Sequence, residues 1–469
     1  MRALLTALLL VPLALGAREL PDTVRRALAT AGVPSTAAAV VVVPVEGGAP
    51  LVTNQSEALV NPASLMKLFT SYAALDLLGP AFTFHTDFLV MGELAAGVLD
   101  GDLVIRGGGD PKLTYERLWQ AAHQLRARGL REIRGDVIVD RGYFSAAAYD
   151  PGKFDGEPRR GYNVGPDPLL VNFQAIQFTF VADGAGVRVT ADPDLPNVEI
   201  ASRIRLVPGP CGAWRGNLEH DVTRNGLVVT MGFGGSYAAE CGEKTLTLSV
   251  LDAAPFTEAV WRWAWSEAGG VLRGRMREAN ASPAARLLYR HESEPLASLV
   301  RDMNKHSNNV MAREIYLGLA AELGARPADM AAAERVVRNW LAAKAIAADG
   351  LVLDNGSGLS REARASAAML AMLLRSAWSS PLMPEIAASL PVYAIDGTLR
   401  RRPAKGAAGQ AHLKGGTLNG VQAIAGYVLD RDSRRWIVVM IVNHANANAA
   451  QPALDALVEW VHDLGRKAR

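Results

Sequence analysis

The sequence predicts an α+β protein, in which an antiparallel sheet with helices on both faces is interrupted by an inserted, mostly β region. Apolar, strand-like runs lie near both chain ends, in residues 37–53 and 423–443, and can pair in one sheet. Helical periodicity recurs within residues 295–377. Residues 88–278 instead contain short strand-like runs separated by Pro and Gly, with one helical segment among them.

This change of character along the chain predicts the domain organisation. We expect one domain that is split between residues 18–87 and 279–469. The intervening residues 88–278 would form an inserted region of two nested β subdomains. The total of 469 residues is long enough for more than one hydrophobic core.

The first 17 residues predict export from the cytoplasm. They combine Arg2 with an apolar run and small residues at the end, which is typical of a secretory signal peptide cleaved after Gly16 or Ala17. An uncleaved membrane anchor is the alternative. The rest of the sequence contains no apolar run of about 18 residues, so no stable membrane span is expected in the mature protein.

Charge and residue spacing exclude several classes of function. The net charge is +2 and Lys and Arg are scattered, so a nucleic-acid-binding face is not predicted. The eight histidines show no metal-ligand spacing, and neither a metal nor a cofactor is expected. The glycine-rich segment 107–111 lacks the Lys-Ser/Thr ending of a phosphate loop and is interpreted as a tight turn.

The two cysteines, Cys211 and Cys241, are predicted to form a disulfide. The bond would close a loop of about 30 residues, worth about 3 to 4 kcal/mol in the chain-entropy model. Pairing fits export to an oxidising compartment, and two free buried thiols are the alternative. Neither cysteine belongs to a Cys-x-x-Cys pair, so redox or zinc chemistry is not expected.

The first segment that suggests chemistry follows a predicted hairpin. Residues 37–45 and 50–53 lead into a helix that begins near Pro62. Ser64 and Lys67 are three residues apart on that helix and share one face. A serine becomes a nucleophile when a base takes its proton, and a lysine can do so if burial or a second cation lowers its pKa from about 10.4. A solvated pair that recurs by chance is the alternative.

Helices and strands of the C-terminal part are expected to complete the outer domain. The last helix carries an apolar stripe that can pack on the sheet, and a membrane-surface helix is the alternative. The predicted helices are residues 295–304, 310–323, 328–344, 365–377 and 453–464, and the predicted strands are residues 423–429 and 436–443.

Two further segments complete a pattern with the Ser64 segment. Ser307 and Asn309 are two residues apart, so they share a face only where the backbone is extended or turning. Lys414 and Gly416 share one face of an extended strand, whereas Gly415 points to the other. The order along the chain is therefore Ser-x-x-Lys, Ser-x-Asn and Lys-x-Gly.

This ordered set resembles the penicilloyl serine transferases. The most similar group is the low-molecular-mass class C penicillin-binding proteins, the D-alanyl-D-alanine carboxypeptidase/endopeptidase family that includes penicillin-binding protein 4. The long gap between Ser64 and Ser307 is similar to this family, which carries extra domains there. The resemblance runs from about Leu20 to the C terminus. Matching motifs lie in residues 61–64, 106–111, 305–309, 354–361 and 396–399.

The resemblance implies both a fold and an activity. The fold would be the penicillin-binding, serine β-lactamase-like transpeptidase fold, with the split domain as the catalytic one. The activity would be that of a periplasmic serine DD-peptidase that acts on peptidoglycan stem peptides, removes terminal D-Ala or cleaves D-Ala-diamino acid cross-links, and is acylated by β-lactam antibiotics. A catalytically weak cell-wall binding protein of the same fold is the alternative.

The resemblance also assigns roles to the three motifs. Ser64 would be the nucleophile, Lys67 its general base, and Asn309 a contact for both Lys67 and the substrate amide. The oxyanion would lie between the backbone N–H groups of Ser64 and Thr417. Ser307 would take part in proton transfer to the leaving amine.

The third motif departs from the family pattern at one position. Lys414 would complete the proton relay and bind a terminal carboxylate, and Gly416 and Thr417 would contact the substrate. The family usually has Lys-Thr-Gly, and Gly415 replaces the Thr. Because position 415 faces away from Lys414, the substitution bears on rate and carboxylate recognition and not on the nucleophile.

Substrate-binding residues outside the three motifs are also implied. Arg361 would bind the free carboxylate of the diamino acid, with a structural ion pair as the alternative. Asp155, Glu157 and Tyr162, in a Pro- and Gly-rich loop of the inserted region, would hold the amino group of the same side chain. His306 is interpreted as a packing residue.

Overall fold

The structure is a computed structural model that describes residues 19–145, 149–226, 228–324 and 326–465. The predicted signal peptide, residues 1–17, lies outside the described residues. Among the helices of the described ranges, none is long and apolar enough to cross a bilayer.

The N-terminal elements lead directly into the Ser64 segment. Helix α1 (Asp22–Thr30) is followed by strands β1 (Ala38–Pro44) and β2 (Val52–Asn54). A 3₁₀ turn at Ala63–Met66 then opens helix α2 (Lys67–Leu78). Strand β1 is covered on both faces, which explains its unbroken run of Ala and Val.

Strands dominate the described part of the inserted region. Its elements are β3 (His85–Ala95), β4 (Val98–Gly107), α3 (Tyr115–Ala127), β5 (Glu132–Ile133), β6 (Val137–Asp140), β7 (Ile176–Ala182), β8 (Val187–Asp192), β9 (Val198–Ser202), β10 (Arg205–Val207), β11 (Leu218–Asn225), β12 (Val228–Ala238), β13 (Glu243–Leu248), α4 (Ala253–Glu267), β14 (Val271–Leu272), β15 (Met276–Glu278) and β16 (Arg286–Glu292). Helix α4 is not among the elements that the sequence predicted. It buries Phe256, Trp261 and Trp265, aromatic residues that are more typical of strands.

Helices dominate the C-terminal part, as predicted. The elements are α5 (Leu296–His306), α6 (Asn309–Leu323), α7 (Met330–Ala343), α8 (Ala367–Trp378), α9 (Met383–Ser389), β17 (Ala411–Leu418), β18 (Val421–Leu429), β19 (Arg435–Asn443) and α10 (Gln451–His462). The predicted final helix packs on the sheet, because Leu454, Leu457 and Val458 belong to one buried cluster with residues of β1 and β19.

The two chain ends form one five-stranded sheet in the order β17-β18-β19-β1-β2, and every neighbouring pair is antiparallel. Val41 and Val43 of β1 pack in a cluster with α2, α6 and α8. Val40 and Val42, on the opposite face, pack with α1 and α10. The predicted antiparallel sheet with helices on both faces is therefore confirmed.

The inserted region forms further sheets of its own, including a seven-stranded one in which β3 pairs with β4 and with β16. Strands of this sheet lie on both sides of the predicted boundaries at residues 88 and 278, and those boundaries remain a prediction. Within this region Cys211 and Cys241 are joined by a disulfide.

Candidate active site

Ser64 lies in the 3₁₀ turn before α2, and hydrogen bonds hold this turn from several sides. The backbone N–H of Asn61 donates to Asn443 Oδ1 at 2.8 Å, and Asn61 Nδ2 donates to the carbonyl of Ser360 at 2.8 Å. Asn61 Oδ1 in turn accepts from the N–H of Ala63 at 2.9 Å. Ala63 has φ of +48°, a strained conformation that persists where its surroundings fix it. The position of Ser64 is therefore set by contacts distant in sequence.

Lys67, one turn after Ser64, is fully buried beneath it. Its Nζ lies 3.2 Å from Ser64 Oγ, 2.6 Å from Asn309 Oδ1 and 2.6 Å from the carbonyl oxygen of Ser357. The last two oxygens hold the amine against the serine hydroxyl. The Ser357 carbonyl is a contact that the sequence analysis missed, because a backbone acceptor leaves no residue-type signal.

The environment of Lys67 favours its neutral form. Burial lowers its pKa well below the usual range, and the nearby charges of Lys414 and Arg313 lower the pKa further. Arg313 lies on α6, four residues after Asn309, and is itself buried. A neutral amine next to a serine hydroxyl is able to accept its proton.

Ser307 and Asn309 meet the site through a sharp turn between two helices. Ser307 ends α5 in a left-handed conformation, with φ of +54°. Asn308 is extended and caps α6, with its side chain accepting from the N–H of Val310 at 3.0 Å. The backbone therefore turns at this point, which Ser307 and Asn309 require in order to share one face. Ser307 Oγ accepts from Lys414 Nζ at 2.8 Å.

Lys414 projects from β17 and is fully buried. Its Nζ also donates to the carbonyl of Gly415 at 2.7 Å, and burial lowers its pKa to about 7. The same strand passes directly beside Ser64. A β-carbon at Gly416 would lie 3.1 Å from the backbone nitrogen of Ser64, so position 416 has little room for a side chain.

Gly358 allows a second close approach to the Ser64 turn. Its φ is +76°, and a β-carbon there would lie 1.9 Å from the carbonyl oxygen of Ala63. Nearby, the hydroxyl of Thr70 donates to the carbonyl of Gly356 at 2.7 Å. The segment containing these glycines therefore packs beneath α2, and this contact places the Ser357 carbonyl at Lys67.

Gly415 lies on the face of β17 opposite Lys414, next to Leu399. A β-carbon at position 415 would lie 3.3 Å from Leu399 Cδ2. Leu399 is buried and belongs to a 3₁₀ turn at Gly397–Leu399, and Asp396 before that turn is paired with Lys305 at 2.6 Å. A larger residue at position 415 would therefore have to displace Leu399 by a few tenths of an ångström.

A cavity of about 580 Å³, here named the active-site cavity, opens in front of these groups and is lined by Ser64, Ser307, Asn309 and Thr417. Arg361 also lines it, with its guanidinium 4.5 Å from the ring centre of Phe154. Arg361 Nη1 donates to the carbonyl of Asn419 at 3.1 Å. The structure thus brings Arg361 to the same cavity as Ser64.

The loop of the inserted region reaches the active-site cavity as well. Asp155 and Tyr162 both line it, and the Tyr162 hydroxyl donates to Asp155 Oδ2 at 2.9 Å. Arg313 holds this loop in place, because its Nη1 donates to the carbonyl of Val164 at 2.8 Å. Glu157 instead lies 3.6 Å from Arg160 and is absent from the described residues that line the cavity.

The interpretation of His306 as a packing residue is wrong. Its side chain is exposed and lines the active-site cavity beside Ser307. It ends α5, where the chain turns outward before the left-handed residue. In the described ranges no group of three or more His, Cys, Asp and Glu side chains could hold a metal ion.

A serine hydroxyl beside a buried amine of lowered pKa is the arrangement that acyl transfer through serine requires. The sheet behind it, with helices on both faces and Ser64 in the turn before α2, has the architecture of the penicillin-binding fold. The fold and site together define a penicillin-binding, serine-type DD-peptidase.

The chain belongs to the D-Ala-D-Ala carboxypeptidase 3 (S13) family, which it matches over residues 21–464. Among curated relatives, a D-alanyl-D-alanine carboxypeptidase of an Actinomadura species is 29% identical, with 94% of this chain and 84% of the relative covered. The D-alanyl-D-alanine carboxypeptidase DacB of Haemophilus influenzae is 23% identical, with 81% of this chain and 80% of the relative covered.

Solved structures show the same fold. Penicillin binding protein 4 from Haemophilus influenzae is 21% identical and superposes with a TM-score of 0.78, covering 94% of this chain and all of that one. A predatory peptidoglycan endopeptidase from Bdellovibrio bacteriovorus, 14% identical, gives a TM-score of 0.54 over 91% of this chain and 92% of that one. The resemblance inferred from the sequence motifs is confirmed.

Proposed function

We propose that Ser64 attacks the carbonyl carbon between two D-alanine residues while Lys67 accepts its proton. The observation that carries this proposal is the 3.2 Å distance between Ser64 Oγ and the buried Nζ of Lys67. The attack forms an ester between Ser64 and the acyl part of the substrate and releases the amine of the second residue. Water then hydrolyses the ester and regenerates Ser64.

Two other groups of atoms support the same reaction. The oxyanion would lie between the N–H groups of Ser64 and Thr417, in agreement with the close approach of β17 to the Ser64 turn. Lys414, at 2.8 Å from Ser307 Oγ, would pass a proton through this hydroxyl to the leaving amine. Its pKa of about 7 suits transfer in both directions near neutral pH.

The proposed substrate is the stem peptide of peptidoglycan, with β-lactams as covalent inhibitors. Arg361 would bind the free carboxylate of the diamino acid, and Asp155 with Tyr162 would bind its amino group. All three line the active-site cavity with Ser64. Export to the periplasm is supported by the signal-peptide pattern of residues 1–17 and by the disulfide.

The proposal is tested with a fluorescent penicillin and the Ser64→Ala variant. We expect the unaltered protein to form one covalent adduct and Ser64→Ala to form none, because the ester oxygen is missing. Ser298→Ala, a change at an exposed serine that lines neither the active-site cavity nor its neighbouring cavities, is the control and should be labelled fully. Labelling of Ser64→Ala at the unaltered rate would refute the assignment of the nucleophile.

The alternative of a weak cell-wall binding protein is not favoured by any contact in the site. The alternative was suggested by Gly415, where the sequence departs from the family pattern. This residue faces Leu399 instead of Lys414. Release of D-alanine from a pentapeptide and of monomer from a cross-linked dimer are the two assays that measure turnover.

A further inference from the structure

A second cavity, which shares no lining residue with the active-site cavity, is rich in positive charge. It has a volume of about 690 Å³ and is lined by Arg215, Lys244, Arg400 and Arg401, here named the basic cavity. Glu243 supplies the one carboxylate among the described residues that line it. Arg215 and Lys244 belong to the inserted region, whereas the other two follow the turn beside Gly415.

The four cations of the basic cavity are available to a ligand. Within the part of the chain that the structure describes, none of them forms an ion pair. Arg215, Arg400 and Arg401 are exposed, and the guanidinium of Arg215 lies 5.3 Å from the ring centre of Trp214. Cations that converge on a concave surface without carboxylate partners attract anionic ligands, and guanidinium groups match carboxylates well.

A middle cavity of about 600 Å³ connects the basic cavity to the site. It shares Arg215 and Thr245 with the basic cavity. It shares Tyr162, Ser307 and Asn309 with the active-site cavity. A continuous cleft therefore leads from the nucleophile, past Ser307, to the four cations.

The direction of this cleft follows from the roles proposed for the site. Ser307 would protonate the leaving amine, so the leaving group lies on the Ser307 side of the bond that breaks. Of the three residues that would bind the acyl part, Arg361 and Asp155 line the active-site cavity alone, and Tyr162 lies where that cavity meets the middle cavity. The middle and basic cavities therefore lie on the side of the leaving group.

We infer that the basic cavity binds carboxylates of the leaving stem peptide when the substrate is a cross-linked dimer, an inference that rests on the proposed function. In carboxypeptidase cleavage the leaving group is a single D-alanine, and one residue spans only about 3.5 Å. In cross-link cleavage the leaving group is a whole stem peptide, which carries the carboxylates of its diamino acid and its C terminus. The basic cavity thus favours cross-linked over linear substrate.

The test uses the triple variant Arg215→Gln, Arg400→Gln and Arg401→Gln, in which all three changes are at exposed positions. We expect KM for an acidic cross-linked dimer to rise about five- to tenfold, as the loss of three exposed charge contacts predicts. D-alanine release from a pentapeptide and the rate of penicillin acylation should stay within twofold of the unaltered protein.

The matched control removes the same charge elsewhere. Arg26, Arg188 and Arg335 are exposed and line none of the three cavities described above. Their triple change to Gln should leave dimer cleavage within twofold. A dimer whose leaving arm has amidated carboxylates provides the second control, because it should be cleaved equally by the basic-cavity variant and the unaltered protein.

Each outcome has a distinct meaning. Equal dimer cleavage by the basic-cavity variant and the control variant would overturn the inference and leave the proposed function intact. An equal loss on acidic and amidated dimers would overturn carboxylate recognition. If the unaltered protein neither binds penicillin nor releases D-alanine, the proposed function fails and this inference fails with it.

Discussion

Two groups of cations lie along one cleft, and their environments differ completely. Lys67 and Lys414 are 0% exposed, and each contacts at least two oxygen atoms. Arg400 and Arg401 are exposed at the rim of the basic cavity, and the described structure contains no ion pair for either. Side chains of the same formal charge are therefore buried in one group and exposed in the other.

The difference shows what burial does to a basic side chain. Desolvation penalises the charged form, so a buried amine becomes neutral near physiological pH and is able to accept a proton. An exposed guanidinium keeps its charge at every accessible pH and serves as a binding group. The proposed roles thus divide the cleft into a reactive part and a recognition part, and three experiments test this division.

The largest effect is expected when a permanent cation replaces the buried base. Lys67→Arg keeps the charge type but removes the neutral form, since the arginine pKa stays above about 12. We expect penicillin acylation to slow by about 10²- to 10⁴-fold, the usual contribution of a general base. Stopped time courses with a fluorescent penicillin measure this rate, and Lys405→Arg, at an exposed lysine, is the control.

Lys67→Gln covers the case in which the larger arginine does not fit, since it removes the base without adding bulk. Circular dichroism establishes that each variant is folded. Acylation of both folded variants within tenfold of the unaltered rate would show that the base is another group.

A smaller effect is expected on stability when the second buried amine is removed. The pKa of Lys414 is about 7 in the folded state and 10.5 in the unfolded state, so the unfolded state binds more protons between these values. The contribution of Lys414 to stability therefore rises with pH from about 7 to 10.5 and is constant below about 7. Lys414→Met abolishes this dependence, so its stability relative to the unaltered protein should fall as pH rises.

The measurement is urea unfolding of both proteins at pH 7 and pH 10. The difference in unfolding free energy should change by a few kcal/mol, because one pKa unit corresponds to about 1.4 kcal/mol. Lys405→Met, at the exposed lysine, should give the same difference at both pH values. A pH-independent difference for Lys414→Met would contradict the lowered pKa.

The smallest effect is expected from salt. Raising the ionic strength from about 0.05 to 0.5 M shortens the Debye length severalfold and screens the exposed cations but not the buried ones. We expect the ratio of dimer cleavage to pentapeptide cleavage to fall about two- to threefold in the unaltered protein. The ratio should stay constant in the Arg215/Arg400/Arg401 variant. An equal decline of this ratio in both proteins would contradict the proposed division.

Much of this architecture is predictable from sequence because it depends on local patterns. The spacing of Ser64 and Lys67 places both on one face, and strand alternation separates Lys414 from Gly415. The apolar runs of residues 37–45 and 436–443 predict buried strands, and these form the pair β1 and β19. The order of the three motifs then indicates the family.

The remaining features depend on contacts between distant segments. The carbonyl of Ser357 reaches Lys67 only because Gly358 permits a backbone contact with Ala63. The sequence pattern around Arg313 is that of an ordinary helix. Its role as an anchor for the inserted loop depends on hydrogen bonds to two backbone carbonyls. Sequence patterns carry no signal for an acceptor on the backbone, and they indicate a distant partner only where a family motif marks it, as for Asn309 and Lys67.

The disulfide bears on the basic cavity and not on the Ser64 turn. Arg215 lies four residues after Cys211, and Lys244 lies three residues after Cys241, so the bond ties together the two segments that carry these cations. Ser64 has no such link. If the basic cavity has the proposed role, the disulfide helps to position two of the cations that bind the leaving group, whereas the hydrogen bonds that hold the Ser64 turn do not involve it.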